Sequence, residues 1–248
     1  MTASAPPLQL DAVTAGYGPL VILDRLSLAL QPDEILLVLG ANGSGKSTLL
    51  KTAMGLTRLA GGRLALAGED ITAWPAHRRA AAGIGYVPQT GNVFAGLSVR
   101  DNLRMGAFLR PAAQAAAQAA VLDLFPRLAE RLAARAGALS GGERRMLSIA
   151  LTMMAEPRLL LLDEPSSDLA PAAIDLVFAA IDRIRRERRI PVLLVEQNVA
   201  RGLALADRVV VMVRGRAAAT MPVGAVTSGD LHALFLDGSV GAGGPSQP

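Results

Sequence analysis

A glycine-rich segment that ends in a lysine and two hydroxyl residues carries the clearest chemistry in this sequence. It reads GANGSGKST over residues 40–48 and directly follows the apolar run Ile35–Leu39. Its glycines allow successive backbone N–H groups to turn toward phosphate oxygens, and the start of the following helix adds a favourable field. In this pattern Lys46 neutralises the β- and γ-phosphates, and Ser47 offers its hydroxyl to Mg²⁺. The segment therefore predicts a site for a nucleoside triphosphate.

A pair of carboxylates ends a second apolar run. Asp163 and Glu164 follow the four leucines of residues 159–162. Ligands of open α/β sheets bind at the carboxyl ends of the strands. We expect Asp163 to hold Mg²⁺ through its water shell, and Glu164, which is nearer the γ-phosphate, to polarise an attacking water. Lys46, which binds the phosphates, completes this part of the predicted catalytic set.

A third segment has two interpretations. Ser140 and Glu143 have the S-x-x-E spacing of a helix capping box, at the start of a helical stretch that extends to about residue 155. Gly141 and Gly142 lie between them and leave backbone N–H groups uncovered at a helix start, which is also how an anion site is built. The spacing alone does not favour either interpretation.

The elements that must position these residues alternate between short apolar runs and longer helical stretches. This alternation is typical of βα units and of a mostly parallel sheet. Runs nearly continuous in Leu, Ile and Val predict strands buried on both faces, at residues 35–39, 85–88, 159–163 and 191–196. Flanking runs predict hairpins that form an added antiparallel layer, at residues 8–13, 22–30, 208–213 and 216–221.

The character of the chain changes between residues 89 and 140, where apolar positions recur at helical spacing. Residues 111–121 are rich in Ala and Gln, which favour helix, and Pro126 interrupts or restarts it. We therefore expect a helical subdomain at about residues 90–140, inserted into an α/β domain that covers residues 1–238. Residues 239–248 are rich in Gly, Ser and Pro and are predicted to be a disordered tail.

Composition excludes several other kinds of site. The chain has no cysteine, and its two histidines are His77 and His232, so thiolate chemistry and a histidine-rich zinc site are excluded. No apolar stretch approaches the ~20 residues of a membrane-spanning helix. The N-terminus also lacks the pattern of a secretory signal, which predicts a cytoplasmic protein.

The positive charge of the chain has two interpretations as well. The net charge is +4, and the densest cluster lies at residues 183–189, which contain five arginines. Cations at the end of a surface helix complement the negative end of its dipole, and this is the interpretation we favour. A patch that binds nucleic acid is the alternative.

The three segments together resemble the ATP-binding subunits of ABC transporters. The sequence LSGGE at residues 139–143 resembles the signature motif of that family, and LLLLDEP at residues 159–165 follows it in the usual order. The resemblance covers about residues 8–238. It implies an α/β fold with a P-loop NTPase core, an antiparallel β layer and an inserted helical subdomain, and it implies ATP and Mg²⁺ as ligands.

The resemblance also implies roles for individual residues. Tyr17 has the place of the aromatic residue that stacks on adenine, and Gln89 that of the glutamine that reaches Mg²⁺ and the attacking water. Asp168 lies in the loop that passes between two nucleotide sites, and Gln197 replaces a histidine that contacts the γ-phosphate. The nucleotide-binding set implied is Tyr17, Gly40, Ala41, Asn42, Gly43, Ser44, Gly45, Lys46, Ser47, Thr48, Gln89, Ser140, Gly141, Gly142, Glu143 and Asp168. The catalytic set is Glu164, Gln197 and Lys46, and the metal set is Ser47, Gln89 and Asp163.

Longer segments are similar to one branch of this family, the second ATPase subunit of branched-chain amino-acid importers and its urea and amide relatives. They include NVFAGLSVRDNLRMGAF from residue 92 and VLLVEQN from residue 192. The similarity implies membrane-spanning permease subunits, a second ATPase subunit of the same or a sister kind, and an extracytoplasmic solute-binding protein that acts indirectly. It also implies a peripheral position at the cytoplasmic face of the membrane. An ABC-type ATPase acting on nucleic acid and a nucleotide-binding scaffold without hydrolysis are the rival hypotheses.

Overall fold

The computed structural model describes residues 5–227 of the 248-residue chain. The predicted tail at residues 239–248 and His232 therefore lie outside the described residues. Ten strands are present in this part of the chain. In chain order they are β1 Leu8–Tyr17, β2 Leu20–Leu30, β3 Ile35–Leu39, β4 Arg58–Leu66, β5 Glu69–Asp70, β6 Ile84–Val87, β7 Leu159–Asp163, β8 Val192–Val195, β9 Arg208–Val213 and β10 Arg216–Pro222.

A six-stranded sheet forms the centre of the structure, in the order β10-β9-β3-β8-β7-β6. The strands from β9 to β6 are parallel, so the loops that follow β3, β8, β7 and β6 meet at one edge. Ile35, Leu37 and Leu39 of β3 pack into one apolar cluster, and Leu36 and Val38 into another on the opposite face. Both faces are covered, which is why these strands are continuous apolar runs.

A four-stranded antiparallel sheet, in the order β2-β1-β4-β5, packs over one face of the central sheet. The expected hairpin of β1 and β2 is present. The hairpin of β9 and β10 also forms, but it extends the edge of the central sheet, so its predicted place in the antiparallel layer is wrong. β4, in the middle of the layer, was not predicted, because its sequence RLAGGRLAL contains two consecutive glycines.

Eight α-helices of the described residues connect and cover the strands. Three α-helices, α3 to α5, lie between β6 and α6, where an inserted helical segment was expected, and α5 restarts the helix at Pro126 as predicted. The helices are α1 Lys46–Met54, α2 Ala76–Ala81, α3 Val99–Gly106, α4 Gln114–Leu124, α5 Pro126–Ala129, α6 Gly141–Met153, α7 Pro171–Arg188 and α8 Val199–Leu205.

The arginine cluster lies at the C-terminal end of α7, as the dipole argument predicts. Its side chains pair with carboxylates from other elements: Arg183 with Asp123, and Arg185 with Asp207. These pairs tie α7 to α4 and to the start of β9, which gives the cluster a structural role. Among residues 5–227, no helix combines the length and the apolar character needed to cross a bilayer.

Candidate functional site at the carboxyl edge of the central sheet

The glycine-rich loop connects β3 to α1 and is compressed against neighbouring backbone. A Cβ atom on Gly40 would lie 2.4 Å from the carbonyl oxygen of Met212, so no other residue type fits there. Gly45, the residue before α1, has φ 103°, which favours glycine strongly. The loop therefore presents bare backbone N–H groups at the N-terminus of a nine-residue helix, as anion binding requires.

Ser44 and Lys46 of this loop point inward, while Asn42 is exposed. Lys46 is 5% exposed, and its Nζ donates hydrogen bonds to the carbonyl oxygens of Gly40 and Ala41 at 2.8 and 3.1 Å. Burial lowers the pKa of Lys46, while the charges of Glu164 and Asp163 oppose that shift. The hydroxyl of Ser44 is buried without a hydrogen-bond partner. A phosphate oxygen would supply the acceptor that the hydroxyl of Ser44 lacks and a counter-charge for Lys46.

Asp163 at the end of β7 contacts the start of α1. The hydroxyl of Ser47 donates to Oδ1 of Asp163 at 2.9 Å, and the hydroxyl of Tyr86 approaches Oδ2 at 3.4 Å. Burial raises the pKa of Asp163. Ser47 and Asp163 are the two residues that the sequence predicts at one Mg²⁺ site, whereas Tyr86 lies inside an apolar strand and has no such signal.

These residues fit a hard cation that completes its shell from outside the protein. Among residues 5–227, no group of three or more His, Cys, Asp or Glu side chains could hold a metal by itself. Mg²⁺ is commonly bound by one or two protein oxygens together with phosphate and water oxygens. Ser47 and Asp163 supply such oxygens next to the phosphate-type loop.

Glu164 lies between two carboxamides. Nε2 of Gln197 donates to its Oε2 at 2.8 Å, and Nε2 of Gln89 approaches the same atom at 3.2 Å. Glu164 is 7% exposed and has φ 46°, a strained backbone for a residue other than glycine. Gln89 also donates to the hydroxyl of Ser167 at 3.1 Å. Three loops, from β6, β7 and β8, thus converge on one carboxylate.

A polar cavity of about 360 Å³ opens at this convergence, and a second cavity of about 390 Å³ continues from it toward the start of α6. Asp168, with φ 60°, lines both. Its carboxylate accepts a hydrogen bond from the Ser167 hydroxyl at 3.2 Å.

The tip of α6 has the predicted capping box. Oε2 of Glu143 accepts from the N–H of Ser140 at 2.9 Å, and Oγ of Ser140 accepts from the N–H of Glu143 at 3.3 Å. These bonds to Ser140 lower the pKa of Glu143. No hydrogen bond within residues 5–227 joins this tip to the glycine-rich loop, and Gly141 remains exposed. The capping role is confirmed, and one copy of the chain does not bring the two segments together.

Tyr17 lies at the tip of the hairpin between β1 and β2, where it is exposed together with Leu20 and Val21. A Cβ on Gly45 would meet side chains of Ile22 and Leu23, so the start of β2 lies over the glycine-rich loop. The hairpin therefore provides an exposed apolar surface next to that loop.

Comparisons with known proteins agree with this geometry. The ABC transporter family profile matches residues 23–167. The high-affinity branched-chain amino acid transport ATP-binding protein BraG of Pseudomonas aeruginosa is 43% identical, over 84% of this chain and 90% of its own length. The probable branched-chain amino acid transport ATP-binding protein LivF of Archaeoglobus fulgidus is 41% identical, over 83% of this chain and 88% of its own length.

Solved structures show the same fold. A nucleotide-free ATP-binding cassette from an ABC transporter superposes with a TM-score of 0.79 at 24% identity, over 87% of this chain and 90% of the cassette. The ADP conformation of another cassette superposes with a TM-score of 0.80 at 22% identity, over 96% of both chains. The α/β fold with its antiparallel layer and helical insertion, the matched profile and these relatives lead to one conclusion: the chain belongs to the ABC transporter family.

Proposed function

We propose that this chain is the ATP-hydrolysing subunit of an importer for branched-chain or other hydrophobic amino acids. The observation that carries the proposal is the contact between Ser47 and Asp163, which joins the phosphate-type loop to the carboxylate pair at one edge of the sheet. The proteins named above, whose printed names describe branched-chain amino acid transport, support the choice of cargo.

In this proposal each functional residue at the carboxyl edge of the central sheet has its own role. The N–H groups of the loop and the ammonium of Lys46 bind the phosphates, and Tyr17 stacks on the base. Ser47 and Asp163 hold Mg²⁺, with Gln89 nearby; the ion, when bound, neutralises charge that develops on the β- and γ-phosphate oxygens. Glu164 accepts the proton of the attacking water. Gln197 acts as a neutral hydrogen-bond donor, since an amide neither carries charge nor transfers protons.

The exposed tip of α6 supports the proposal that one copy provides half of each site. The N–H groups of its two glycines make no hydrogen bond to the chain's own loop, and a neighbouring ATPase subunit would place such a tip on the nucleotide held here. Two subunits, identical or sister, close while the triphosphate is intact. Cleavage removes the interaction that favoured closure.

An exposed apolar surface on the helical insertion is the proposed contact with the permease. The surface lies within residues 93–108, where Phe94, Leu97, Met105 and Phe108 are exposed, while Val99 is fully buried core. Phe108 is 82% exposed. An apolar surface of this kind is typical of a protein–protein contact, and it would hold the subunit at the cytoplasmic face of the membrane.

The experiment that tests the proposal uses the complete transporter, in which this chain is purified together with its membrane protein. ATP turnover is measured with the solute-binding protein and, in turn, leucine, isoleucine, valine, urea or a short amide. Stimulation by the branched-chain amino acids supports the proposal. Stimulation only by urea or the amide would show that the importer carries those solutes and not branched-chain amino acids. Salt-sensitive binding of nucleic acid would favour an ABC-type ATPase that acts on nucleic acid.

A further inference from the structure

A buried carboxylate outside the catalytic set joins two loops of the site. Glu196 follows β8 and is 1% exposed. Its Oε1 accepts from the N–H of Ser166 at 2.9 Å, and its Oε2 accepts from the hydroxyl of Ser166 at 2.7 Å. Oε2 also lies 3.2 and 3.3 Å from the N–H groups of Gln197 and Asn198. Both oxygens are therefore satisfied by the loops that follow β7 and β8.

Burying a carboxylate costs free energy unless both of its oxygens accept hydrogen bonds. Burial raises the pKa of Glu196, and the four hydrogen bonds favour the charged form. Burial also lowers the pKa of Arg145, whose guanidinium donates to the carbonyl oxygen of Pro88 at 3.2 Å, and the nearby charge of Glu196 opposes that shift. A fully satisfied buried network of this kind fixes the relative position of the segments that it connects.

The segments connected here are those that carry the two central residues of hydrolysis. Ser166 is two residues after Glu164, and Glu196 directly precedes Gln197. The 2.8 Å hydrogen bond from Gln197 to Glu164 spans the same gap between β7 and β8. A change in the separation of the two loops would therefore alter the length of this hydrogen bond.

We propose that Glu196 is a positioning residue for ATP hydrolysis: its carboxylate ties the loop after β7 to the loop after β8 and thereby holds the carboxamide of Gln197 against Glu164. The inference rests on the proposed function. It assigns Glu196 no contact with nucleotide, and it predicts an effect on turnover that passes through Gln197.

The test is a double-mutant cycle in the complete transporter. Glu196→Gln keeps the size of the side chain but replaces one acceptor with an amide group that faces N–H donors. A displacement of about 1 Å can cost about 100-fold in rate, and for a loosened loop we expect a fall in kcat of roughly tenfold. KM for ATP and the affinity for a fluorescent ATP analogue should stay within about twofold, because the phosphate loop is not involved. In the Gln197→Ala background, adding Glu196→Gln should change kcat by less than about twofold.

Glu34→Gln is the matched control, since Glu34 is a buried carboxylate paired with Arg208 near the start of β3, at the opposite end of the sheet. It should leave kcat unchanged, and thermal unfolding is recorded for every variant. If Glu196→Gln does not fold, Ser166→Ala takes its place in the cycle. An equal loss of kcat in both backgrounds, an unchanged kcat, or a rise in KM alone overturns the inference. Absence of hydrolysis by the wild-type transporter overturns the proposed function instead.

Discussion

The carboxamide of Gln197 donates a hydrogen bond to Oε2 of Glu164 across 2.8 Å. Gln89 approaches the same oxygen, so the other oxygen, Oε1, is the one with no hydrogen bond from either amide. The two carboxamides orient the carboxylate of Glu164, and because they are uncharged they do not neutralise its charge. An amide at position 197 is thus compatible with the proposed role of Glu164 as the acceptor of a proton from water.

The first prediction concerns the pH dependence of turnover. In Gln197→His, protonation of the imidazole near pH ~6.5 or somewhat above, because Glu164 is adjacent, would pair a cation with the base and reduce its basicity. The kcat of the variant relative to wild type should therefore fall roughly three- to tenfold as the pH decreases through that value. Steps shared by both proteins, including protonation of Asp163, whose pKa burial raises, cancel in the ratio. A ratio that is constant from pH 5.5 to 8 would contradict the role given to Gln197.

The second prediction tests the phosphate loop. Lys46→Ala removes the buried ammonium, and hydrogen bonds to charged groups contribute about 1.5–3 kcal/mol each, so ATP affinity should fall by roughly 100-fold or more. Titration calorimetry on the purified chain measures this. Lys51→Ala, in the same helix α1, is the control and should keep the affinity. Equal affinity of the wild-type and Lys46→Ala proteins would refute the assignment of the loop.

The third prediction separates nucleotide binding from closure. Ser140→Arg places a bulky cation at the tip of α6, which makes no hydrogen bond to the chain's own loop, so ATP binding by the isolated chain should be unchanged while turnover by the assembly is lost. Loss of a helix cap costs about 1 kcal/mol. Ser98→Arg controls for this cost in the chain without its permease, because Ser98 caps α3 through Asp101 in the same way, and it should preserve ATP-dependent dimer formation there. Turnover that survives Ser140→Arg would show that the signature assignment is wrong.

The fourth prediction concerns the apolar surface of residues 93–108. Phe108 is almost fully exposed, so Phe108→Asp should shift the free energy of unfolding by no more than about 0.5 kcal/mol. It should nevertheless weaken recovery of the permease when the chain is captured by affinity purification. Leu20→Asp, an exposed apolar residue on the hairpin after β1, is the control. Undiminished recovery of the permease with Phe108→Asp would exclude this surface as the contact.

The sequence predicted most of the central sheet because its strands are buried on both faces. Residues 35–39, 159–163 and 191–196 are nearly continuous apolar runs, and the structure places β3, β7 and β8 there. The prediction failed for β4, since Gly61 and Gly62 read as a loop. It also misplaced β9 and β10, because a hairpin signal does not specify which sheet accepts it.

Site residues can be predicted from the sequence where they form a local pattern. The glycine-rich loop and the pair Asp163 and Glu164 are such patterns, because each directly follows an apolar run that predicts a strand. Glu196 has no such pattern: three of its four donors are backbone N–H groups, and its side-chain partner, Ser166, lies 30 residues away in the chain. Only the adjacency of β7 and β8 brings these groups together.

The role of Glu164 as the base is tested by comparing wild type with Glu164→Gln in the complete transporter, with phosphate release and retained nucleotide measured on the same samples. If Glu164 is the base, the variant binds Mg-ATP with wild-type affinity, releases no phosphate above background, and keeps the two ATPase subunits closed around intact ATP. Phosphate release by Glu164→Gln at the wild-type rate would contradict this role.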